Sequence, residues 1–113
     1  MATSNLPLNT FRTRAFELTT ATQTIYTTPA DLTCIILGGQ ASNYTTGTVS
    51  ISVRLVKNTI GYNLLKDFEI PPNDAAEVTT GKLVVEQGNS IEAEVSADNS
   101  IDLVLSLLET SNE

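Results

Sequence analysis

Hydrophobic and polar residues alternate most regularly between Gly47 and Asn58. Apolar side chains stand at every second position of this segment, with Ser or Arg between them: Val49, Ile51, Val53 and Leu55. Side chains of a β-strand point alternately to opposite faces, so this period of two predicts a strand with one buried side. We therefore expect a long core strand here, followed by a tight turn and a hairpin partner at Tyr62–Ile70.

The same reasoning predicts several more short strands separated by turn residues. They are expected at 11–19, 23–27, 33–40, 82–86, 91–97 and 101–108, the last one central in its sheet. Residues 41–46 are expected to form a loop, 74–78 a single helical turn, and 109–113 a solvated tail. Turn signals every eight to twelve residues are typical of a sandwich or small barrel. We expect an all-β fold, a single-domain antiparallel β-sandwich (jelly-roll or Ig-like) of about eight strands.

Two segments depart from simple alternation. Thr33–Gln40 contains consecutive apolar residues, which predicts a strand covered on both faces, and Gly38-Gly39 predicts a bulge or a close backbone approach. Phe11–Thr19 has no clean apolar face, which suits an edge strand or a strand covered by a partner chain. The domain boundaries expected are a flexible N-terminal arm at 1–10, which is polar and contains Pro7, and a sandwich domain at 11–113.

The net charge of −7 argues against a surface that binds nucleic acid, because phosphates would repel it. The charge is also unevenly distributed: residues 1–30 carry +1 and residues 31–113 carry −8. The leading segment could therefore dock on an acidic neighbour. Neither a signal peptide nor an apolar run of the ~20 residues that span a bilayer is recognisable, so we expect no membrane association and assembly in the cytoplasm.

The sequence offers few groups for catalysis or metal binding. It contains no His, which excludes Ser-His-Asp and Cys-His catalysis, and its one cysteine, Cys34, lies in an apolar run and is expected to be buried. Same-face carboxylates (Glu92 with Glu94, Asp67 with Glu69) are more typical of a solvated sheet face than of a glycosidase. Asp98, Asn99 and Asp102 resemble a fragment of a calcium loop but lack the rest of it. We expect no enzyme activity, no cofactor and no metal.

Aromatic residues leave a carbohydrate-binding module open as an alternative. Tyr26, Tyr44 and Tyr62 could each stack on a sugar ring, and Tyr44, in a Ser/Asn/Thr loop, is the best placed of the three. Contacts at the edge of the core or between subunits are the other interpretation of these side chains.

Several short motifs together resemble a known group of proteins. Residues 25–30 read IYTTPA, residues 70–72 read IPP, residues 81–91 read GKLVVEQGNSI, and residues 103–109 read LVLSLLE. In this order they resemble small all-β accessory virion proteins of tailed bacteriophages, over residues 23–109. Asn89 stands where that pattern more often has Asp. The resemblance implies a structural role in a particle, on the head as a decoration (cement) protein, or in the neck, collar, tail or baseplate.

The expected function is therefore a non-enzymatic virion protein, and a capsid decoration protein in particular, located in a phage particle that assembles in the host cytoplasm. Its partner would be a capsid or other virion protein, and a homotrimer is favoured because closed assembly covers sheet edges. The residues expected to contact partners are aromatic and arginine side chains, the types that anchor interfaces: Phe11, Arg12, Arg14, Phe16 and Tyr44.

Overall fold

The computed structural model describes residues 9–112, which form nine strands and no helix. Their bounds are β1 Asn9–Glu17, β2 Gln23–Thr27, β3 Leu32–Asn43, β4 Val49–Lys57, β5 Ile60–Ile70, β6 Ala75–Glu77, β7 Leu83–Val85, β8 Ser90–Val95 and β9 Ile101–Ser111. β1 thus begins at Asn9, two residues before the predicted strand, and residues 1–8 of the predicted arm lie outside the described part of the chain.

The strands form two antiparallel sheets that pack face to face. Sheet A has the order β1-β9-β3-β6, with β7 pairing further along the same edge of β3, and sheet B has the order β2-β8-β4-β5. If β6 and β7 are counted as two pieces of one strand position, consecutive strands alternate between the sheets except at the β4–β5 hairpin, which is the order of an eight-stranded jelly roll. The predicted all-β sandwich is confirmed, and of the two predicted forms the topology is the jelly roll.

Alternating residues fill the space between the sheets. β9 is the clearest case, because Ile101, Leu103, Leu105 and Leu107 are buried while the residues between them face outward. It lies between β1 and β3, as predicted for a central strand, and β4 lies between β8 and β5. Burial of these branched and aliphatic side chains is the main stabilising term of the fold.

Two predicted elements are wrong. Residues 75–77 form strand β6 instead of a helical turn, because they pair with Gln40–Ser42 of β3 and three ladder pairs outweigh a weak local capping signal. The predicted tail is also structured, since β9 continues to Ser111 and Glu109 is buried. The predicted loop 41–46 is partly wrong as well, because Ala41–Asn43 belong to β3.

The two glycines of β3 behave as predicted. The register between β3 and β9 shifts between Ile36 and Gly38, which is a β-bulge. A Cβ at Gly39 would lie 2.5 Å from Val78 Cγ2 and 2.7 Å from Leu105 Cδ2, so a side chain here would force these core residues to shift. The expectation that this strand is covered on both faces is wrong for a single chain, because Ile35 and Leu37 remain partly exposed.

Candidate interaction surface

Strand β1 places four of the five predicted contact residues along one edge of sheet A. Phe11 points to the outer face of this sheet, beside Leu108, and is 73% exposed. Arg12, Arg14 and Phe16 have the opposite parity and point to the side on which β9 buries its leucines. The prediction that this segment is an edge strand is confirmed.

The fifth predicted residue, Tyr44, follows the last residue of β3 and contacts Glu17, the last residue of β1. Its hydroxyl donates a hydrogen bond to the Glu17 carboxylate, and its backbone N–H donates to the carbonyl of Ser100. The bond to Glu17 raises the pKa of Tyr44 to about 12. Tyr44 is therefore held against the end of β1 and is 47% exposed there.

Arg12 belongs to a polar cluster that the sequence does not reveal. Its Nε donates to Glu109 Oε1 at 2.6 Å, and the hydroxyl of buried Tyr26 donates to Glu109 Oε2 at 2.5 Å. Glu109 is only 6% exposed, and Cys34 pairs with it across the β3–β9 ladder. The cluster joins β1, β9 and β3 of sheet A to β2 of sheet B.

The charges of this cluster explain its protonation states. Burial raises the pKa of Glu109, but the hydrogen bonds from Tyr26 and Arg12 and the charge of the guanidinium outweigh it, so the net shift is downward. Burial, followed by the bond to Glu109, raises the pKa of Tyr26. Burial likewise raises the pKa of the Cys34 thiol, which is fully buried as predicted. The cluster holds a carboxylate against neutral Tyr and Cys and therefore acts as a structural clamp.

The outer face of sheet A carries a row of apolar side chains across four adjacent strands. The register aligns Phe11 of β1 with Leu108 of β9, Leu108 with Ile35 of β3, and Ile35 with Val84 of β7. Phe11 and Val84 are 73% and 54% exposed, while Leu108 and Ile35 are half-buried. We call these four residues the apolar row.

The ladder positions beside the β1, β9 and β3 members of the apolar row are uncharged, whereas Val84 is flanked by Lys82 and Glu86. One side is Asn9, Thr110 and Thr33, and the other is Thr13, Ser106 and Gly38. A shallow depression of about 260 Å³ adjoins the row and is lined by Phe11, Arg12, Thr13, Leu37, Ser106 and Leu107. An apolar and partly concave sheet face with charged residues only near its margins suits contact with another protein surface.

Other candidate groups are engaged in local interactions. Arg54 on the outer side of sheet B donates from Nε to Glu92 at 2.6 Å and from Nη2 to Glu94 at 2.7 Å, so these carboxylates form ion pairs on the sheet face. Tyr26 is buried and cannot stack on a sugar, whereas Tyr62 is exposed on β5.

Neither a metal cluster nor a membrane span is found in the described part of the chain. Within residues 9–112 no three His, Cys, Asp or Glu side chains come together in a way that could hold a metal ion. The same residues contain no helix long and apolar enough to cross a membrane.

The sequence analysis does not predict the apolar row, although the apolar residues that form it are visible in the sequence. The consecutive apolar residues of β3 are visible in the sequence, but they predict a strand covered on both faces, and Leu108 falls inside the predicted central strand 101–108. Only the register shows that these side chains line up with Phe11 and Val84. Apolar residues on the outer side of a sheet are thus the signal, and their alignment requires the structure.

Comparisons with known proteins identify the fold but no sequence family. No family model matches the sequence, and curated protein sequences show no similarity to it. A chain of the acidic stable capsid structure of Helicobacter pylori bacteriophage KHP30 aligns with a TM-score of 0.57 and 12% identity, over 95% of this chain and 90% of that one.

Two further structures share the architecture. A chain from Bacillus endospore appendages, described as disulfide-linked pili, aligns with a TM-score of 0.57 and 12% identity, over 93% of this chain and 88% of that one. A chain of infectious bursal disease virus, Gx strain, aligns with a TM-score of 0.51 and 14% identity over 92% of this chain, but over only 32% of its own length. At these identities the likeness concerns the fold.

Proposed function

We propose that this chain is a structural, non-enzymatic protein of a phage particle, and specifically a capsid decoration (cement) protein that stabilises the shell through protein–protein contacts. The observation that carries the proposal is the apolar row on the outer face of sheet A. A side chain such as Phe11, 73% exposed and flanked on its own face by Asn9 and Thr13, gains free energy when a partner covers it.

Two further features support a role in a particle. The fold is shared with a chain of a phage capsid structure over nearly the full length of both chains. The negative net charge suits a surface that meets proteins and not packaged nucleic acid. A neck or tail component would use the same kind of surface, so the position on the particle is part of the test.

The likeness to the pilus chain does not extend to its disulfide chemistry. This chain has a single cysteine, and Cys34 is fully buried between the sheets. It could not link neighbouring subunits without unfolding. The structure also gives little support to sugar binding, because Tyr26 is buried and the hydroxyl of Tyr44 is bonded to Glu17.

The test is to locate the protein in purified particles by mass spectrometry and by labelled electron microscopy. Shell labelling is expected; labelling confined to the neck or tail would refute decoration, and absence from particles would refute the virion role. Val84→Ser and Phe11→Ser should lower binding to particles that lack the protein. Val56→Ser is the matched control, because Val56 lies on the outward side of β4 in the other sheet. Equal loss in the control would exclude a role specific to the apolar row.

A further inference from the structure

The inner side of β1 extends beyond the cover of the opposite sheet. Arg12, Arg14 and Phe16 point toward the sandwich interior, yet both arginines are exposed and Phe16 is only half-buried. Arg12 is neutralised by Glu109, whereas Arg14 forms no ion pair with any described residue. We call these three residues the β1 shelf. It offers an unpaired cation next to an aromatic ring.

A second shelf projects from sheet B. Ile60, Tyr62 and Phe68 of β5 have the parity of the buried β4 residues, because Phe68 pairs with Ile51 and Tyr62 with Leu55. They are nonetheless 55%, 52% and 46% exposed, respectively, since sheet A ends in the short strands β6 and β7 on this side. We call these three the β5 shelf. It is an apolar and aromatic surface that the described residues leave about half exposed.

The two shelves project from opposite sides of the sandwich. Tyr26 of β2 reaches Glu109 of β9, and the side-chain amide of Asn43 on β3 donates to the carbonyl of Ile70 on β5 at 2.9 Å. The β2 side of sheet B therefore lies against the β9 side of sheet A, which leaves β1 uncovered at one side and β5 at the other.

The shelves differ in charge. Arg14 makes the β1 shelf positive, whereas the three residues of the β5 shelf are uncharged. The acidic Asp67 and Glu69 of β5 lie on the other face of that strand, beside Ser52 and Ser50. Packing two β1 shelves on each other would oppose the unpaired Arg14 of each copy. A β1 shelf on a β5 shelf would instead place Arg14 over an exposed tyrosine ring, a favourable cation–π arrangement.

We propose that the occupant of each shelf is a second copy of this chain, with the β1 shelf of one copy packed face to face on the β5 shelf of the next. Such a head-to-tail contact repeats until it closes a ring or grows into a filament, and the expected trimer is one closed form. The inference does not depend on the virion role, since it concerns contacts among copies of the purified protein.

The contact is tested with two variants, each of which disables one shelf. Arg14→Glu should abolish the β1 shelf and Tyr62→Glu the β5 shelf, so each variant alone should be monomeric by light scattering where the wild type is oligomeric. An equal mixture retains one intact shelf of each kind in different molecules. It should form a heterodimer and nothing larger, because the second contact would oppose two glutamates.

Gln40→Glu is the matched control, since it adds a carboxylate at an exposed position on neither shelf and should keep the wild-type mass. Circular dichroism checks that each variant is folded, and Arg14→Ala with Tyr62→Ser replaces the pair if it is not. A monomeric wild type would overturn the proposal, and so would either variant assembling alone or a mixture without heterodimers. Assembly by the β5-shelf variant alone would indicate a symmetric β1 contact instead.

Discussion

At the scale of single residues, the Glu109 carboxylate holds together strands from both sheets. It accepts hydrogen bonds from Arg12 on the edge strand and from Tyr26 in the opposite sheet. A buried carboxylate is stable only while such donors remain, because losing one leaves a desolvated charge without compensation. The cluster therefore secures β1, whose own side chains are all exposed or only partly buried, to the rest of the sandwich.

Acid should weaken this clamp. The pKa of Glu109 is lowered in the folded state from its ordinary value of 4.5, so its contribution to stability is present above that value and is lost as the pH falls through the lower one. Glu109→Gln should thus be less stable than the wild type at pH 7, and the difference should narrow below about pH 4.5. Urea titrations at a series of pH values measure this difference in the free energy of unfolding between the variant and the wild type. A constant difference down to pH 3 would contradict the assignment.

Gly39 should not tolerate a side chain. A methyl group there meets Val78 and Leu105, both 2% exposed, so Gly39→Ala should lower the free energy of unfolding by about 1–3 kcal/mol. Gly38→Ala is the neighbouring control, because nothing lies within 4 Å of its added Cβ. Chemical denaturation compares the two, and equal stability of both variants would show that the core can accommodate the group.

Some of these residue roles can be predicted from sequence and others cannot. Cys34 lies in an apolar run, and a pair of glycines in a strand already indicates a bulge or a close approach. The clamp is different, because Arg12 and Glu109 are 97 positions apart and no local pattern connects them. A glutamate near the end of the chain has the same local signal as a solvated tail residue.

At the scale of elements, the predictable strands are those with their own periodicity. β4, β8 and β9 alternate over six or more residues, and their predicted starts lie within about two residues of the observed ones, although β9 continues beyond its predicted end to Ser111. Strand β6 has three residues and no period, and it exists because β3 offers unpaired backbone groups at Gln40–Ser42. Tertiary pairing of this kind overrides a local helical signal.

The assignment of faces in β9 can be tested with one pair of variants. Leu105→Asp places a charge among buried residues, which costs several kcal/mol of the about 5–15 kcal/mol that stabilise a typical domain, so it should unfold the protein. Val104→Asp, one position earlier and 41% exposed, should stay folded. Far-UV circular dichroism distinguishes them, and a folded Leu105→Asp variant would mean that the inward side of β9 is wrongly identified.

At the scale of the whole molecule, one edge strand contributes to both candidate surfaces. Phe11 stands in the apolar row on the outer side of sheet A, and Arg14 stands in the β1 shelf on the inner side. The sequence could indicate that this segment makes contacts, because its faces are mixed and its residues suit interfaces. It could not separate the two sides, since that requires the β1–β9 register.

The segment before β1 should carry part of the attachment to the particle. Residues 1–8 join the chain at Asn9, next to Phe11, and the adjoining strand holds two of the six basic residues. Deletion of 1–8 should leave the fold intact, because Asn9 and Thr10 keep their ladder partners on β9. Binding to particles should fall, and the remaining binding should weaken with salt while Arg14 is present.

Arg14→Ala, combined with this deletion, should remove that salt dependence. Arg12 is kept, because its loss would leave the buried Glu109 carboxylate without its guanidinium partner and would confuse binding with stability. The control replaces residues 1–8 with a Gly/Ser segment of equal length. It shows whether binding depends on the sequence of this segment or only on its length. Cosedimentation with particles measures binding, and light scattering without particles checks self-association separately. If the deletion, the replacement and the combined variant all bind particles as well as the wild type, the sheet surfaces alone make the attachment.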